Sequence, residues 1–378
     1  MNRRQLLLAS LAVAAPPPAL AAVRTRWNVT GSEGFDAIGF LGPLSGKVLY
    51  ARFYAKELAE FRPVFPAPAQ AALDRLQSNS EARGNLLWPA LSTIVSGAKI
   101  DTLDELIDAI DQADARLKAP YKGSEHWDQE SWDTFMAERS DLRVVLGGLR
   151  DGGFVAFRQK LLAGRLEPRI ATLTTYLARY DVVAEQERLL GRPLMSRTID
   201  IVLMWFSKPH GVRVQGQRFL SHVDYPDGNV VSIAAHEVLH PPIPMDGRVA
   251  KAVLNVLGRD ELFARIVAEH DKSFGYNSLE GLLNEDICQA LDQIVSERLG
   301  VAQPASKRWF LADGGMHVLA AGLYETLKAE GYDKTGGNLE RWLGEAAKTG
   351  KLSPARLHPA AAKVLGKPVD RLWVRPAA

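Results

Sequence analysis

Cysteine is almost absent: Cys288 is the single one in 378 residues. That excludes an intramolecular disulfide framework and leaves a large hydrophobic core as the source of stability. An excess of charge of either sign is lacking too. The 46 basic and 44 acidic residues give a formal net charge of +2, without the basic surplus expected of a protein that binds nucleic acid or anionic lipid. Beyond the first residues no apolar run approaches the roughly 20 residues that span a bilayer. There is no internal repeat, and the one biased stretch, the Pro/Ala segment from Pro63 to Pro68, reads as a turn-rich connector.

At the N-terminus Arg3 and Arg4 precede the apolar run Leu6 to Ala15, a Pro16-Pro17-Pro18 breaker and the small-x-small sequence Ala19-Leu20-Ala21. This order predicts a signal peptide over residues 1–21, too short in its apolar core for a permanent span. The paired arginines resemble a twin-arginine export signal, although a Sec signal also carries basic pairs. Cleavage after Ala21 leaves 357 residues in which 44 basic face 44 acidic. The expectation is a soluble protein of the periplasm or exterior of a bacterium, not held by a membrane once the signal is removed.

Residues 22–195 read as a mainly helical region after an alternating stretch Val23, Thr25, Trp27, Val29 that suits one strand. Thr102 and Glu105 form a capping box ahead of Leu103, Leu106, Ile107 and Ile110. Further helices are expected from Val48 to Phe61, stopped by Pro63, and from Arg169 to Leu190, stopped by Gly191 and Pro193. In residues 196–378 the run Ile199 to Phe206 and a second from Val212 to Val223 read as strands, and helical patterns resume at Asn229. The expected class is α+β, mainly α, with a small sheet just ahead of residue 229.

The segment from Asn229 contains His236-Glu237-x-x-His240. Residues four apart stand one turn above each other on a helix, so both imidazoles reach one ion while Glu237 points to its side. Neutral imidazole is a good zinc ligand, and a carboxylate beside the ion can take a proton from the attacking water. Val230, Val231, Ile233, Ala234, Ala235, Val238 and Leu239 leave this helix apolar nearly all round, as a buried helix is. Burying two histidines and a carboxylate costs several kcal/mol unless something pairs with them, and a metal ion is a natural partner. The plain alternative is a core helix whose histidines are satisfied by backbone carbonyls. Pro241 and Pro242 should end the helix at His240.

On these residues the chain resembles the zincin metallopeptidases, over roughly residues 197–300. The resemblance implies a zincin-like catalytic domain, a strand before the motif helix to which a peptide adds, Glu237 as general base, and zinc as the cofactor. Ile243 and Asp246 stand where a metzincin has Gly and usually His. Glu285, 44 residues beyond His240, matches the third ligand of the gluzincins, and Asn284-Glu285 resembles the pair that opens their ligand helix; Gln289 stands where they commonly have Asp. On a helix from Leu279 to Leu299, Glu285 shares a stripe with Gln289, Asp292 and Ser296, either facing a cleft or solvated. Asp246, Asp271 and Glu280 are the fallback ligands.

His222 and Tyr276 are candidates to hydrogen-bond the developing oxyanion. Cys288 reads as a packing residue, and His126, His210, His270, His317 and His358 as residues without chemistry. Peptide-bond hydrolysis is the leading function, with a peptide or protein as partner. A non-catalytic, metal-stabilised binding or scaffold protein of the cell envelope is the alternative, and hydrolysis of a non-peptide amide in the cell wall is a third reading.

Overall fold

A computed structural model describes residues 25–274 and 276–375. The expected signal peptide, residues 1–21, lies outside the described residues. The chain is mainly helical with one four-stranded sheet, the α+β, mainly α class expected. Among the described residues no helix is long and apolar enough to cross a membrane.

The sheet has the order β1 (Arg26–Gly31), β2 (Thr198–Met204), β4 (Arg218–His222), β3 (Val212–Val214). β1 and β4 both run parallel to β2, with Arg26 opposite Thr198 and Met204 opposite His222, while β3 closes antiparallel on β4. Parallel strands are normally covered on both faces, and here alternate side chains of one strand feed two separate cores. Ile199, Ile201 and Leu203 join Val29, Phe219 and the helices of the C-terminal half. Val202 and Met204 join Leu220, Val214 and the helices between Phe35 and Phe157. The helices Leu166–Leu177 and Val182–Leu190 pack into the first of these cores, so packing does not break at residue 195.

The N-terminal half grips the end of β2 closely. In the helix Glu33–Leu44, Gly39 lies so near that a Cβ would stand 2.5 Å from the Phe206 carbonyl oxygen. Asp36 is fully buried there, accepting from the backbone N–H groups of Trp205 (2.6 Å) and Phe206 (3.0 Å) and from Arg158 Nε (2.6 Å). The Tyr54 hydroxyl donates to the Trp205 carbonyl (2.9 Å) and accepts from the Lys208 N–H (2.8 Å). These bonds fix the turn that leads from β2 into β3.

Several elements differ from their sequence reading. The helix expected from Val48 to Phe61 is two, Val48–Ala51 and Ala55–Phe61, broken just before Tyr54, whose hydroxyl is committed to the β2 turn. The one expected from Arg169 to Leu190 divides at Asp181, whose carboxylate caps the second helix at Ala184 N and binds Thr25. The run from Val212 to Val223 is a hairpin, turned at Gly216 with φ of 76°. The capping box at Thr102 and Glu105 is formed.

Candidate metal centre

The motif helix spans Asp227–Glu237 and ends three residues sooner than expected, with Val238 as its cap and His240 in the turn ahead of Pro241. Its N-terminal body is anchored by the buried Val230, Val231, Ala234 and Ala235. The turn still folds back far enough to bring the two imidazoles together: His236 Nε2 and His240 Nε2 are 3.0 Å apart. Against the motif helix packs the helix Leu279–Arg298, begun by Ser278, whose hydroxyl accepts from Gly281 N. It delivers Glu285, 4 % exposed, with Oε1 3.5 Å from His236 Nε2 and Oε2 3.5 Å from His240 Nε2.

These three donor groups form a cluster able to hold a metal ion. Donors about 2.0–2.1 Å from a tetrahedral ion stand roughly 3.3 Å from one another; here the two imidazole nitrogens are 3.0 Å apart, and each has a different Glu285 oxygen at 3.5 Å. One donor atom from each of His236, His240 and Glu285 lies within 4.8 Å of the others. Of the fallback residues, Asp246, Asp271 and Glu280 are exposed and outside this cluster.

Each donor is held from behind, as ligating side chains usually are. His236 Nδ1 lies 2.6 Å from Asp292 Oδ2, and Asp292, wholly buried, is clamped by both Nη atoms of Arg308. Glu285 Oε1 accepts from Gln289 Nε2 (2.8 Å), and Gln289 Oε1 accepts from Trp309 Nε1 (3.0 Å). His240 Nδ1 lies 3.3 Å from Cys288 Sγ. Positions 285, 288, 289 and 292 form one face of their helix, so the stripe read from the sequence faces the site. Cys288, read as packing alone, touches a ligand candidate.

Burial opposes a charge on His236, but Glu285 and Asp292 outweigh it and hold its pKa well above the usual value. Burial likewise opposes the Glu285 carboxylate, and His236 outweighs it, holding that pKa well below. A positive charge between the carboxylates of Glu285 and Asp292 is therefore favoured.

Glu237 lies on the cleft side of this cluster. Burial, opposed by the charge on His236, pushes its carboxyl up to about 7. Its Oε2 accepts from the Arg213 backbone N–H at 3.0 Å. The next outward N–H of that strand segment, Gln215, donates to Ser96 Oγ at 3.1 Å. The edge expected to receive a peptide is thus engaged at both positions. A cleft of 400 Å³ opens beside His236 and Glu237, walled by Asn229, Ser232, Gln293, Ser296 and Gln303 together with the guanidinium of Arg308.

Tyr276 reaches the cluster. Its hydroxyl hydrogen-bonds to Glu285, and burial together with the charges of Glu285 and Asp313 drives its pKa well up. His222 has other partners: it is 1 % exposed, packed against Trp205 and Tyr225, with Nδ1 accepting from Asp224 N. At the end of β4 it faces the β2 turn, which strand alternation alone could not tell. Of the remaining histidines, His317 and His358 pair with carboxylates.

No family model, curated protein or solved structure matches this chain.

Proposed function

We propose that the protein is a zinc-dependent peptidase related to the gluzincin type of zincin, with His236, His240 and Glu285 as ligands. The observation that carries this reading is the His236–His240–Glu285 donor cluster with Glu237 beside it on an open cleft. The donor set of two imidazoles and one carboxylate suits zinc in a site that keeps one position open. A bound zinc ion would supply a water of lowered pKa and polarise the scissile carbonyl.

The chain's own residues do the rest. Glu237, with a pKa near 7, takes a proton from the attacking water and returns it to the leaving amine. The Arg213 N–H keeps this carboxylate at the cleft wall. Tyr276, hydrogen-bonded to Glu285, is the hydroxyl assigned to the developing oxyanion. The amide and hydroxyl side chains of the cleft can hydrogen-bond a peptide backbone, with Arg308 as the cationic group of its wall. On the signal-peptide reading, the substrate is met outside the cytoplasm.

The test is elemental analysis of the purified protein together with assay on a broad peptide library. About one zinc per chain is expected, and Glu237→Gln should keep the metal and lose hydrolysis by about 10²- to 10⁴-fold. Absence of any transition metal, before and after reconstitution, refutes the reading. Metal without hydrolysis of any amide leaves the metal-stabilised scaffold as the answer.

A further inference from the structure

Among the described residues, two that are not glycine hold a left-handed backbone, Tyr276 (φ 56°) and Asp313 (φ 47°). Residues other than glycine persist in this region where their surroundings over-determine them. Both meet at one side chain. His317, 0 % exposed, has Nε2 2.9 Å from Asp313 Oδ2, and its ring meets the Tyr276 ring edge-on at 5.9 Å. On its other side Nδ1 lies 2.6 Å from Asp286 Oδ1.

Asp286 is the neighbour of Glu285 on the same helix, and its second oxygen accepts from Ala320 N at 3.0 Å. The imidazole is thus held at both nitrogens, between the helix that carries Glu285 and the turn Ala312–Gly315. Burial opposes a charge on this ring, but Asp286 and Asp313 outweigh it and push its pKa up to about 10. With a proton on each nitrogen both hydrogen bonds are donated by the ring, which cannot rotate without losing one of them.

We propose that the Asp286–His317–Asp313 array positions Tyr276, setting its phenol against Glu285, so that His317 and Asp313 serve the reaction without touching substrate. The inference rests on the function proposed above for its kinetic consequence only. A purely structural ion array has no need to press against a tyrosine held in a left-handed backbone, and the convergence of that tyrosine and Asp313 on one ring makes its placement the feature preserved.

The test uses the full-length protein. Asp313→Asn keeps the size and the tolerance for a left-handed backbone but removes the charge. Three readouts are taken in the parent, Asp313→Asn, Tyr276→Phe and the double variant: kcat and KM on a cleaved peptide, zinc affinity, and hydrogen exchange at residues 276–278. In Asp313→Asn, kcat should fall about 10- to 100-fold, as for a misplaced catalytic group, with KM and zinc affinity little changed and exchange at 276–278 faster. In the Tyr276→Phe background Asp313→Asn should lower kcat no further. Equal loss of kcat in both backgrounds, or unchanged exchange at 276–278, overturns the proposal. If the parent hydrolyses nothing, the proposed function falls and the exchange measurement alone decides this inference.

Discussion

Asp292→Asn is the perturbation that bears most directly on the metal centre, because it alters no ligand and almost no volume. In the parent, Asp292 presents one oxygen to His236 Nδ1 at 2.6 Å and both oxygens to Arg308. The carboxylate thereby fixes the proton of His236 on Nδ1 and leaves Nε2 free to bind a metal. An asparagine cannot satisfy both neighbours. If its oxygen stays on His236, its NH₂ faces the Arg308 guanidinium, donor against donor. If it flips, the NH₂ faces Nδ1, the imidazole proton moves to Nε2, and the ligand lone pair is lost. Either orientation carries a cost, and loss of such a partner typically lowers metal affinity by about 10- to 100-fold, or about 1.4–2.8 kcal/mol. Competition titration against a chromophoric zinc chelator measures this directly. A folded Asp292→Asn protein that binds zinc as tightly as the parent would refute the assignment of His236 Nε2 as a ligand atom.

Glu285→Ala should weaken zinc binding by at least about ten-fold, an extension to a ligand of what partner residues show, and undiminished affinity by the same titration moves the third ligand elsewhere. Asp36→Ala leaves Arg158 buried without its partner and two backbone N–H groups of the β2 turn unanswered, so urea denaturation should report a loss of about 3–5 kcal/mol; a change near zero contradicts the buried pair. Burial pushes the His222 ring down to about 3, so the unfolded chain takes up a proton first as pH falls below about 6.5. The stability held above pH 6.5 is therefore lost progressively toward pH 3, by as much as about 4–5 kcal/mol, and His222→Gln should flatten that acid limb in pH-dependent melting curves.

The features legible in the sequence are those written at short range. His236 and His240 declare themselves by a four-residue spacing, and the stripe Glu285, Gln289, Asp292 by helical period, so the sequence places all of them on the right faces. Their mutual contacts were not legible, since the pairing of Asp292 with His236 spans 56 residues and depends on how two helices cross. Cys288 is packed in the core as read, but its contact with His240 was not legible, because nothing local distinguishes a thiol facing Leu from one facing His240. The same limit explains the strands. Alternation marked β1, but its pairing with β2 is a matter of register between distant segments. Gly216 was a signal available in the Val212 to Val223 run, where a single strand was read across a turn. His222 shows the converse error: a strand end near the motif suggested the cleft, but its side chain turns toward Trp205.

The pairing of β1 with β2 also dictates the order in which the chain can fold. During synthesis β1 emerges first, yet Arg26 waits for Thr198 and Asp36 for the amides of Trp205 and Phe206. The core of the first half also contains Val214 and Leu220, so it is completed only after residue 220 has left the ribosome. Loop closure over such a span is paid in entropy before any contact returns it. The nascent N-terminal helices must meanwhile persist as a loose collection, which is the interval in which chaperones act on chains of this topology.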